Sequence, residues 1–433
     1  MSRDSYPNKT RKGIRRLKRP ERVFVVGVKH GRMTMSQMER SFEEVVRLVN
    51  TAGGTVVGHT YQDVKRIDPA TFLGKGKVEE IADLAGRTNA DLVVVDEELS
   101  PVQNRNLEDR LKVFVLDRTA IILDIFAMRA RTAEGKLQVE LAQLEYLGPR
   151  LVGRGLMLSQ QVGRIGTRGP GETALEYERR TLRDRITHLR REIEKVRSAR
   201  EIHRLKRKAV PIPIVAIVGY TNAGKSTVMN TLTSAGVFVE DKLFATLDPT
   251  IRRLKLPSGR EILLADTVGF IRRLPHQLVA AFKATFEEIA HADLLIEVLD
   301  VSDPDVGGQA SVVDKVLEEM SLNHKPRIVV LNKSDMPEKY LRTGGAIELS
   351  ALKGFGMDQL VGKMEALLRT GFLRKKLYLP YDRGDVLSTV YRIGHVYEAR
   401  HGGKHVIVDC ELPEKYANKY KSFERISRLS KVS

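Results

Sequence analysis

The sequence predicts an α/β fold of several domains: a parallel α/β domain, an antiparallel helical hairpin, a second parallel α/β domain and a small α+β domain. A chain of 433 residues is too long for one compact core. Short β-branched runs alternate with helical stretches in two separate regions, and apolar repeats at helical spacing lie between them. The expected segments are 1–22 (a basic disordered tail), 23–130, 131–209 (the hairpin, with a glycine- and arginine-rich loop at 148–173), 210–373 and 374–433.

The first domain is predicted from alternating strands and helices. Apolar runs at 23–28, 55–60, 91–97 and 113–117 are separated by helical stretches. Buried apolar strands with helices between them indicate a parallel sheet that is covered on both faces. The turn FLGKGK (72–77) precedes one of these helices. We predict a plain helix start there, with phosphate binding by the backbone N–H groups as the alternative.

The hairpin is predicted from two apolar repeats. The first repeat ends at Gly148-Pro149, where we expect the helix to end, and the second has the alternating spacings of 4 and 3 that a coiled-coil seam shows. The repeats consist of Leu137, Leu141 and Leu144, and of Leu182, Ile186, Leu189, Ile193 and Val196. They predict two antiparallel helices joined by a flexible loop.

The charge of the chain predicts a polyanionic partner. The net charge is +18 and the pI is near 9.8, which favours nucleic acid over membrane. The basic residues of the second helix are Arg179, Arg180, Arg183, Arg190, Arg191, Lys195, Arg197, Arg204, Lys206, Arg207 and Lys208. Interleaved glutamates would suit a solvated, ion-paired face. Because the basic residues outnumber them and the loop is basic too, we expect contact with RNA.

Composition excludes several protein classes. The single cysteine, Cys410, excludes an internal disulfide framework and fits a reducing compartment. No apolar run reaches the roughly 18 residues that span a bilayer, and residues 1–20 lack the apolar stretch of a signal peptide. We therefore expect a cytoplasmic, monomeric protein without stable membrane insertion. Peripheral membrane association through the basic tail and an organelle transit sequence are the alternatives.

GYTNAGKS (219–226) matches G-x-x-x-x-G-K-[ST], follows an apolar strand and opens a helix, as a phosphate-binding loop requires. Gly219 and Gly224 let the backbone wrap the phosphates, and Lys225 reaches the β and γ oxygens. The Ser226 hydroxyl suits Mg²⁺. The residues expected to contact nucleotide here are Gly219, Tyr220, Thr221, Asn222, Ala223, Gly224, Lys225, Ser226 and Thr227.

Three later motifs, each at a strand end, specify guanine. Asp266-x-x-Gly269 suits Mg²⁺ through water and the γ-phosphate. Asp335 can accept the N1–H and N2–H of guanine, whereas adenine offers no such donor pair. The remaining expected contacts are Thr267, Val268, Asn332 (bracing the loops), Lys333 (along base and ribose), Ser334, Ser350 and Ala351 (whose backbone meets guanine O6) and Leu352. The sequence thus predicts a Ras-like P-loop GTPase domain that binds GTP and GDP.

FATLDPT (244–250) lies where the first switch loop is expected, and a threonine there completes Mg²⁺ coordination. Thr246 is the predicted metal ligand, together with Ser226 and Asp266, and Thr250 is the reserve. The loop residues expected to line the site are Phe244, Ala245, Thr246, Leu247 and Asp248.

A water-orienting glutamine is missing, because Phe270 stands where many GTPases carry it. Arg252 and Arg253 are possible arginine fingers, but in sequence they lie beyond Thr246, the threonine predicted to bind the metal. Asn222 in the phosphate loop is a candidate for holding a K⁺ ion where the charge of a finger would lie. We therefore expect slow intrinsic hydrolysis that a partner accelerates, with Lys225, Thr246, Gly269 and Asn222 as the catalytic residues.

Together these motifs resemble the HflX family of ribosome-associated GTPases, in the TRAFAC class of P-loop GTPases. GTRGPGETALEYERR (166–180) is similar to the family hallmark GTRGPGETQLE, and FATLDPT, DTVGFIRRLP (266–275) and HQLVAAFKATFEE (276–288) are also similar. The likeness extends from about residue 23 to 373. Ala174, Val162 and Arg164 depart from the family pattern, in the hairpin loop.

The resemblance implies binding to the large ribosomal subunit and its RNA, with the hairpin loop directed toward the peptidyl-transferase centre. It implies splitting or rescue of stalled ribosomes under heat or antibiotic stress. It also implies an apolar residue at the Phe270 position. A GTPase acting in large-subunit maturation is the first alternative. A binding module that uses nucleotide only as structure, or a peripheral membrane protein, is the second. Residues 374–433 predict a hairpin around Gly402-Gly403 but no chemistry.

Overall fold

The computed structural model of the chain describes residues 19–31, 33–151, 170–207, 212–233, 243–273, 289–368 and 372–424. These residues divide into two compact units, and the division falls between Arg191 and Glu192. None of the helices within the described ranges combines the length and the apolar character that crossing a membrane requires.

The first unit contains a parallel sheet. Its elements are β1 (Arg22–His30), α1 (Met35–Thr51), β2 (Thr55–Val64), α2 (Lys75–Arg87), β3 (Leu92–Val95), α3 (Pro101–Leu111), β4 (Phe114–Asp117) and α4 (Arg118–Arg129). The strand order is β2-β1-β3-β4, and all three strand pairs are parallel. The predicted parallel α/β fold of this region is confirmed.

Apolar residues on both faces explain why these runs form central strands. Val25 pairs with His59 of β2 on one side and with Val94 of β3 on the other. Phe24 and Val93 are almost fully buried. Helix α1 begins with a capping box, in which Thr34 accepts a hydrogen bond from the backbone of the third helical residue.

The turn FLGKGK begins helix α2, as predicted. Gly74 is the N-cap residue of the helix. The Lys77 ammonium lies 2.6 Å from a carboxylate oxygen of Glu80 and donates to the Thr60 hydroxyl at 2.7 Å. Because Lys77 is already engaged with a carboxylate, the turn has the contacts of an ordinary helix start.

Two helices follow, α5 (Ala133–Leu151) and α6 (Pro170–Arg207). The predicted end of the first helix at Gly148-Pro149 is wrong, because α5 continues through Pro149 to Leu151. A proline in the last turn removes only one helical hydrogen bond. Arg150 stabilises this turn, since it donates to the Tyr146 carbonyl at 2.9 Å and stacks on the Tyr146 ring. The predicted loop at 148–173 is correspondingly shorter at both ends.

Ion pairs join helices α5 and α6, and Gly148 of α5 lies close to the seam residue Leu182 of α6. Leu189 is fully buried. Arg185 lies 2.6 Å from Glu140, and Arg190 lies 2.8 Å from Glu145. The antiparallel arrangement of the two helices stays a prediction.

The basic residues of α6 are on its exposed side. Arg179, Arg180, Arg183, Arg190, Arg191, Lys195 and Arg197 are all exposed. Some of them pair with acidic residues, as a solvated face would: Lys195 lies 2.8 Å from Glu192 and Arg197 lies 3.9 Å from Glu194. The loop at 152–169, Lys208 and the tail at 1–18 lie outside the described residues, as do the side chains of Arg204, Lys206 and Arg207.

The second unit contains a six-stranded sheet. Its elements are β5 (Ile214–Gly219), α7 (Lys225–Thr233), β6 (Thr250–Lys255), β7 (Glu261–Asp266), β8 (Leu294–Asp300), α8 (Val306–Glu319), β9 (Arg327–Asn332), β10 (Ile347–Glu348) and α9 (Met357–Leu368). The order is β10-β9-β8-β5-β7-β6, and only the edge strand β6 is antiparallel. This is the predicted P-loop α/β domain.

The chain ends in a small α+β region, as predicted. Its elements are β11 (Phe372–Pro380), α10 (Gly384–Ile393), β12 (His395–His401), β13 (His405–Pro413), α11 (Glu414–Ala417) and a 3₁₀ turn (Asn418–Phe423). The sheet order is β11-β13-β12, all antiparallel, and the predicted hairpin turns at Gly402-Gly403. Cys410 is buried in this sheet, and burial raises the pKa of its thiol to about 12.

Candidate nucleotide-binding site

The predicted site residues lie on loops at one edge of the six-stranded sheet. Strands β5, β7 and β9 are parallel and end at Gly219, Asp266 and Asn332. Parallel strands bring the loops at their carboxyl ends together, which is where α/β folds bind ligands. The phosphate-loop, Asp266 and Asn332 motifs therefore meet at this edge.

The phosphate loop depends on two glycines. Gly219 has φ of 150°, and a Cβ atom there would lie 2.4 Å from the Val298 carbonyl oxygen. Gly224 has φ of 92°, and a Cβ atom there would lie 2.2 Å from Asn332 Nδ2. Between them Asn222 also adopts a left-handed conformation, with φ of 63°. No side chain fits at either glycine, so the loop backbone packs directly against Val298 of β8 and Asn332 of β9.

Lys225 lies inside this loop. Its ammonium donates to the carbonyl oxygens of Tyr220 at 2.7 Å and Gly219 at 3.2 Å. Burial lowers the pKa of Lys225 to about 8, although the nearby Asp266 carboxylate acts in the opposite direction. A Cβ atom at Gly269 would lie 2.8 Å from Lys225 Nζ. The structure thus brings the phosphate-loop lysine and the glycine of the second motif into contact.

The three predicted metal ligands converge. Ser226 Oγ lies 2.6 Å from Asp266 Oδ2 and 2.9 Å from Thr246 Oγ1, and Thr246 donates to Asp266 at 3.0 Å. Asp266 Oδ1 is buried without a hydrogen-bond partner, and burial raises the pKa of this carboxyl. Two hydroxyls and a carboxylate with a spare oxygen are the hard donors that Mg²⁺ prefers. The reserve residue Thr250 begins β6, paired opposite Asp266.

These residues line one cavity. Its lining consists of Thr221, Asn222, Gly224, Lys225, Ser226, Thr227, Phe244, Ala245, Thr246, Thr267 and Gly269. Nine residues expected to contact nucleotide are buried but are absent from this lining: Gly219, Tyr220, Ala223, Leu247, Asp266, Val268, Asn332, Ser350 and Ala351. The Thr221 hydroxyl is buried in the lining without a hydrogen-bond partner. The phosphate loop and two of the three predicted metal ligands, Ser226 and Thr246, therefore line a single cavity.

Asn332 braces the loops, as the sequence suggested. Its side chain is 3% exposed and donates to the Ala223 carbonyl at 2.8 Å. Its Oδ1 accepts from the Ala351 N–H at 3.0 Å. One side chain thus joins the phosphate loop to the loop after β10. The Ala351 N–H, which was expected to meet guanine O6, is in this structure bonded to Asn332.

The expected base-contacting residues differ in their surroundings. Lys333 has φ of 61°, and its ammonium lies 2.6 Å from Asp300 Oδ2, a partner that the sequence analysis missed. A hydrogen bond from Ser350 lowers the pKa of the Asp335 carboxyl, and Lys353 lies 3.6 Å away. Leu352 is 82% exposed. Asp335 therefore stays ionised and able to accept hydrogen bonds.

Phe270 is part of the core. Its side chain is 1% exposed. Its N–H donates to the Gly219 carbonyl at 3.1 Å, and its carbonyl accepts from the Thr221 N–H at 2.8 Å. These bonds form a parallel bridge with Tyr220, which extends the sheet by one step beyond β5 and β7. The residue in the usual glutamine position therefore joins the second switch to the phosphate loop.

The two candidate arginine fingers are exposed on β6, and neither lines the cavity. Arg253 lies 3.6 Å from Glu261. A third arginine, Arg272, was missed by the sequence analysis. Its guanidinium forms an ion pair with Asp305, and its backbone N–H donates to the Tyr220 hydroxyl at 2.9 Å.

Comparison with known proteins gives the family. Three family models match the chain: "GTP-binding GTPase N-terminal" over 39–127, "GTP-binding GTPase Middle Region" over 129–207 and "50S ribosome-binding GTPase" over 214–333. A GTP-binding protein from Sulfolobus solfataricus, solved with GDP, is 25% identical with a TM-score of 0.42, covering 80% of this chain and 98% of that chain.

Two curated relatives are similar over most of their length. GTPase HflX of Caldanaerobacter subterraneus subsp. tengcongensis is 46% identical over 404 residues, which cover 92% of this chain and 93% of that protein. GTPase HflX of Escherichia coli K12 is 44% identical over 372 residues, which cover 84% and 87%. The chain is therefore a GTPase, and it belongs to the HflX family.

Proposed function

We propose that this GTPase is a switch that binds the large ribosomal subunit, splits or rescues stalled ribosomes under stress, and hydrolyses GTP slowly until the ribosome stimulates it. The burial of Phe270 is the observation that carries this proposal. The cavity holds phosphate- and metal-binding groups, yet a buried ring stands where a water-orienting side chain would be. A partner that orders the switch loops is the simplest way to complete such a site.

The proposed roles follow from the contacts in the cavity. Lys225 exchanges its two carbonyl acceptors for the β- and γ-phosphate oxygens, which also favours its charged form. Ser226 and Thr246 bind Mg²⁺ directly and Asp266 binds it through water. The metal, when bound, neutralises charge on the phosphate oxygens. The Gly269 N–H binds the γ-phosphate.

Guanine recognition is assigned to Asp335. Its carboxylate accepts the N1–H and N2–H of guanine, and its lowered pKa keeps it ionised for this purpose. Lys333 and the Ser350-Ala351 loop are proposed to move onto the base when nucleotide binds, because their present partners are Asp300 and Asn332.

A K⁺ ion at Asn222 is a further part of the proposal. The left-handed backbone of Asn222 and its place in the cavity lining support it. Hydrolysis by the protein should then be faster in KCl than in NaCl at equal ionic strength, and Asn222→Ala should abolish the difference. Equal rates in the two salts would exclude this role.

The exposed basic face of α6 is proposed to bind ribosomal RNA. Each phosphate contact releases counterions, so affinity for large subunits should fall steeply as salt rises. Arg183 and Arg191 form no ion pair within the described part of the chain, and replacing both by glutamine should reduce that salt dependence by about 2 on a log–log plot. Replacing Arg185 by glutamine is the matched control. Because Arg185 pairs with Glu140, this change should alter the salt dependence of affinity less.

The deciding experiment compares GTP hydrolysis by the protein alone, with large subunits and with intact ribosomes, with light scattering recorded in parallel. Stimulation by ribosomes together with a GTP-dependent fall in scattering is expected. Stimulation and binding with free large subunits alone would favour subunit maturation instead. A fast rate without ribosomes would contradict the proposal, because the buried Phe270 would then not leave the site incomplete.

A further inference from the structure

The hairpin formed by β6 and β7 connects the metal site to a distant turn. At one end Thr250 pairs with Asp266, a proposed metal ligand, and Thr246 lies just before β6. At the other end the turn 256–260 closes with two backbone bonds of 2.8 Å between Leu256 and its partners Gly259 and Arg260. Five residue steps separate the ends, or roughly 17 Å of strand.

Arg260 fixes this turn to the C-terminal sheet. The side chain is buried, and one guanidinium nitrogen donates to the Leu368 carbonyl at 2.9 Å. The other lies 2.5 Å from Glu411 Oε2, on β13, and the guanidinium carbon lies 4.3 Å from the Phe372 ring centroid. The same Glu411 oxygen accepts from the Tyr397 hydroxyl at 2.9 Å.

A second contact lies beside the first. The Ser258 carbonyl oxygen is 2.9 Å from His395 Nε2, at the start of β12. Gly259 has φ of 87°, and a Cβ atom there would lie 3.3 Å from the His395 ring. The turn therefore contacts all three strands of the C-terminal sheet, through Phe372, His395 and Glu411, and the left-handed backbone of Gly259 would strain any other residue there.

These contacts make the turn and the C-terminal sheet one body. A buried ion pair whose remaining atoms are hydrogen-bonded is costly to break. Removing one partner leaves the other charge buried, with neither an opposite charge nor water to stabilise it. The strands between the turn and the metal site are continuously paired. A displacement of the C-terminal sheet is therefore transmitted along the hairpin to the Thr246 and Asp266 end.

We propose that Arg260 and Glu411 are positioning residues for GTP hydrolysis, through which residues 372–424 set the spacing of the metal ligands Thr246 and Asp266. This inference rests on the proposed metal roles of those two residues and not on the ribosomal partner. It gives the C-terminal region, for which the sequence predicted no chemistry, a part in the reaction.

The test is Glu411→Gln in the full chain, with the basal GTP hydrolysis rate followed as a function of Mg²⁺. Loss of the charge loosens the turn, so the Mg²⁺ concentration for half-maximal rate should rise by about fivefold or more. The kcat should fall, whereas the affinity for GDP without Mg²⁺ should stay within about twofold. Asp409→Asn is the matched control, because Asp409 is on the same strand and its ion pair among the described residues is with the exposed Arg374. It should behave like the unsubstituted protein.

A second variant separates positioning from folding. Arg260→Lys keeps the charge beside Glu411 but lacks the second nitrogen that reaches Leu368. If Glu411→Gln unfolds the sheet, Arg260→Lys should still show the Mg²⁺ shift, and the nucleotide-free protein should still melt in one cooperative transition, lowered only by the loss of the bond to Leu368.

An unchanged Mg²⁺ dependence in a folded Glu411→Gln variant, or the same shift in Asp409→Asn, would overturn the inference. So would an unchanged dependence in Arg260→Lys where Glu411→Gln does not fold. Ribosome stimulation, measured on the same samples, tests the proposed function separately. It can fail while the Mg²⁺ shift persists.

Discussion

Asn332 offers the most direct test of how the nucleotide-binding loops are held together. We consider the substitution Asn332→Ala. It removes the donor to the Ala223 carbonyl and the acceptor of the Ala351 N–H, and both of these residues are at most 2% exposed. Each buried group left without a partner costs about 1–3 kcal/mol, so the free energy of unfolding should fall by about 2–6 kcal/mol.

The same substitution should weaken nucleotide binding. The phosphate loop and the loop after β10 are no longer tied to each other, and each must be ordered by the nucleotide. If ordering the two loops consumes about 1.4–2.8 kcal/mol of the binding free energy, the GDP dissociation constant rises about 10- to 100-fold. Denaturant unfolding with and without GDP, and calorimetric titration of GDP, measure the two quantities.

Two further variants sharpen this test. Asn332→Asp keeps the acceptor for Ala351 but sets a carboxylate oxygen against the Ala223 carbonyl, so it should be at least as destabilising as Asn332→Ala. Thr231→Val removes a separate 2.7 Å bond to the Ala351 carbonyl and should cost only about 1 kcal/mol. If Asn332→Ala changed stability by less than about 1 kcal/mol and GDP affinity by less than threefold, the bridge would not be what holds the loops.

Three other predictions concern the base, the γ-phosphate and the core. Asp335→Asn should weaken the binding of GTP and favour the binding of xanthosine triphosphate, because the hydrogen-bond donor pattern of xanthine is reversed there. A variant that still prefers GTP in competition binding would refute the assignment of Asp335. Gly269→Ala should lower kcat on the order of a hundredfold and also weaken GDP binding, because its Cβ would meet Lys225 Nζ and Thr221 Cα at 2.8 Å; a normal kcat would contradict this. Burial raises the pKa of Glu297 to about 7 from 4.5, despite Arg327 at 3.3 Å. The folded state thus binds the proton more tightly, and stability should fall by up to about 3 kcal/mol as pH rises from 4.5 to 7. Glu297→Gln should remove this dependence in thermal melts, and a parallel pH profile would exclude Glu297 as its source.

The parts of the fold that the sequence predicted correctly are those in which local pattern and burial agree. The strands 214–219 and 327–332 are apolar runs that end in polar motifs, and the structure puts both beside β8 in a parallel sheet. The repeat around Leu189 indicated an apolar seam, and that residue is fully buried. In each case short-range periodicity matches the environment that the fold supplies.

The parts that could not be predicted depend on contacts between distant positions. Lys333 pairs with Asp300, 33 positions away, and Arg260 pairs with Glu411, 151 positions away. Neither arginine nor lysine carries a local signal of its partner, since both are ordinary surface residues in sequence. Proline at 149 gave a misleading signal, because the penalty for proline is small in a last turn.

The burial of Phe270 also constrains how this GTPase can evolve. Glutamine at this position would bury a carboxamide, and a buried polar group without a partner costs about 1–3 kcal/mol. It would also disturb the residue whose backbone links the phosphate loop to the second switch. A chain that acquired its own water-orienting side chain in one mutation would therefore lose stability in the same step. Under the proposed function, GTP hydrolysis therefore stays dependent on the ribosome, because the fold requires a buried apolar side chain at position 270.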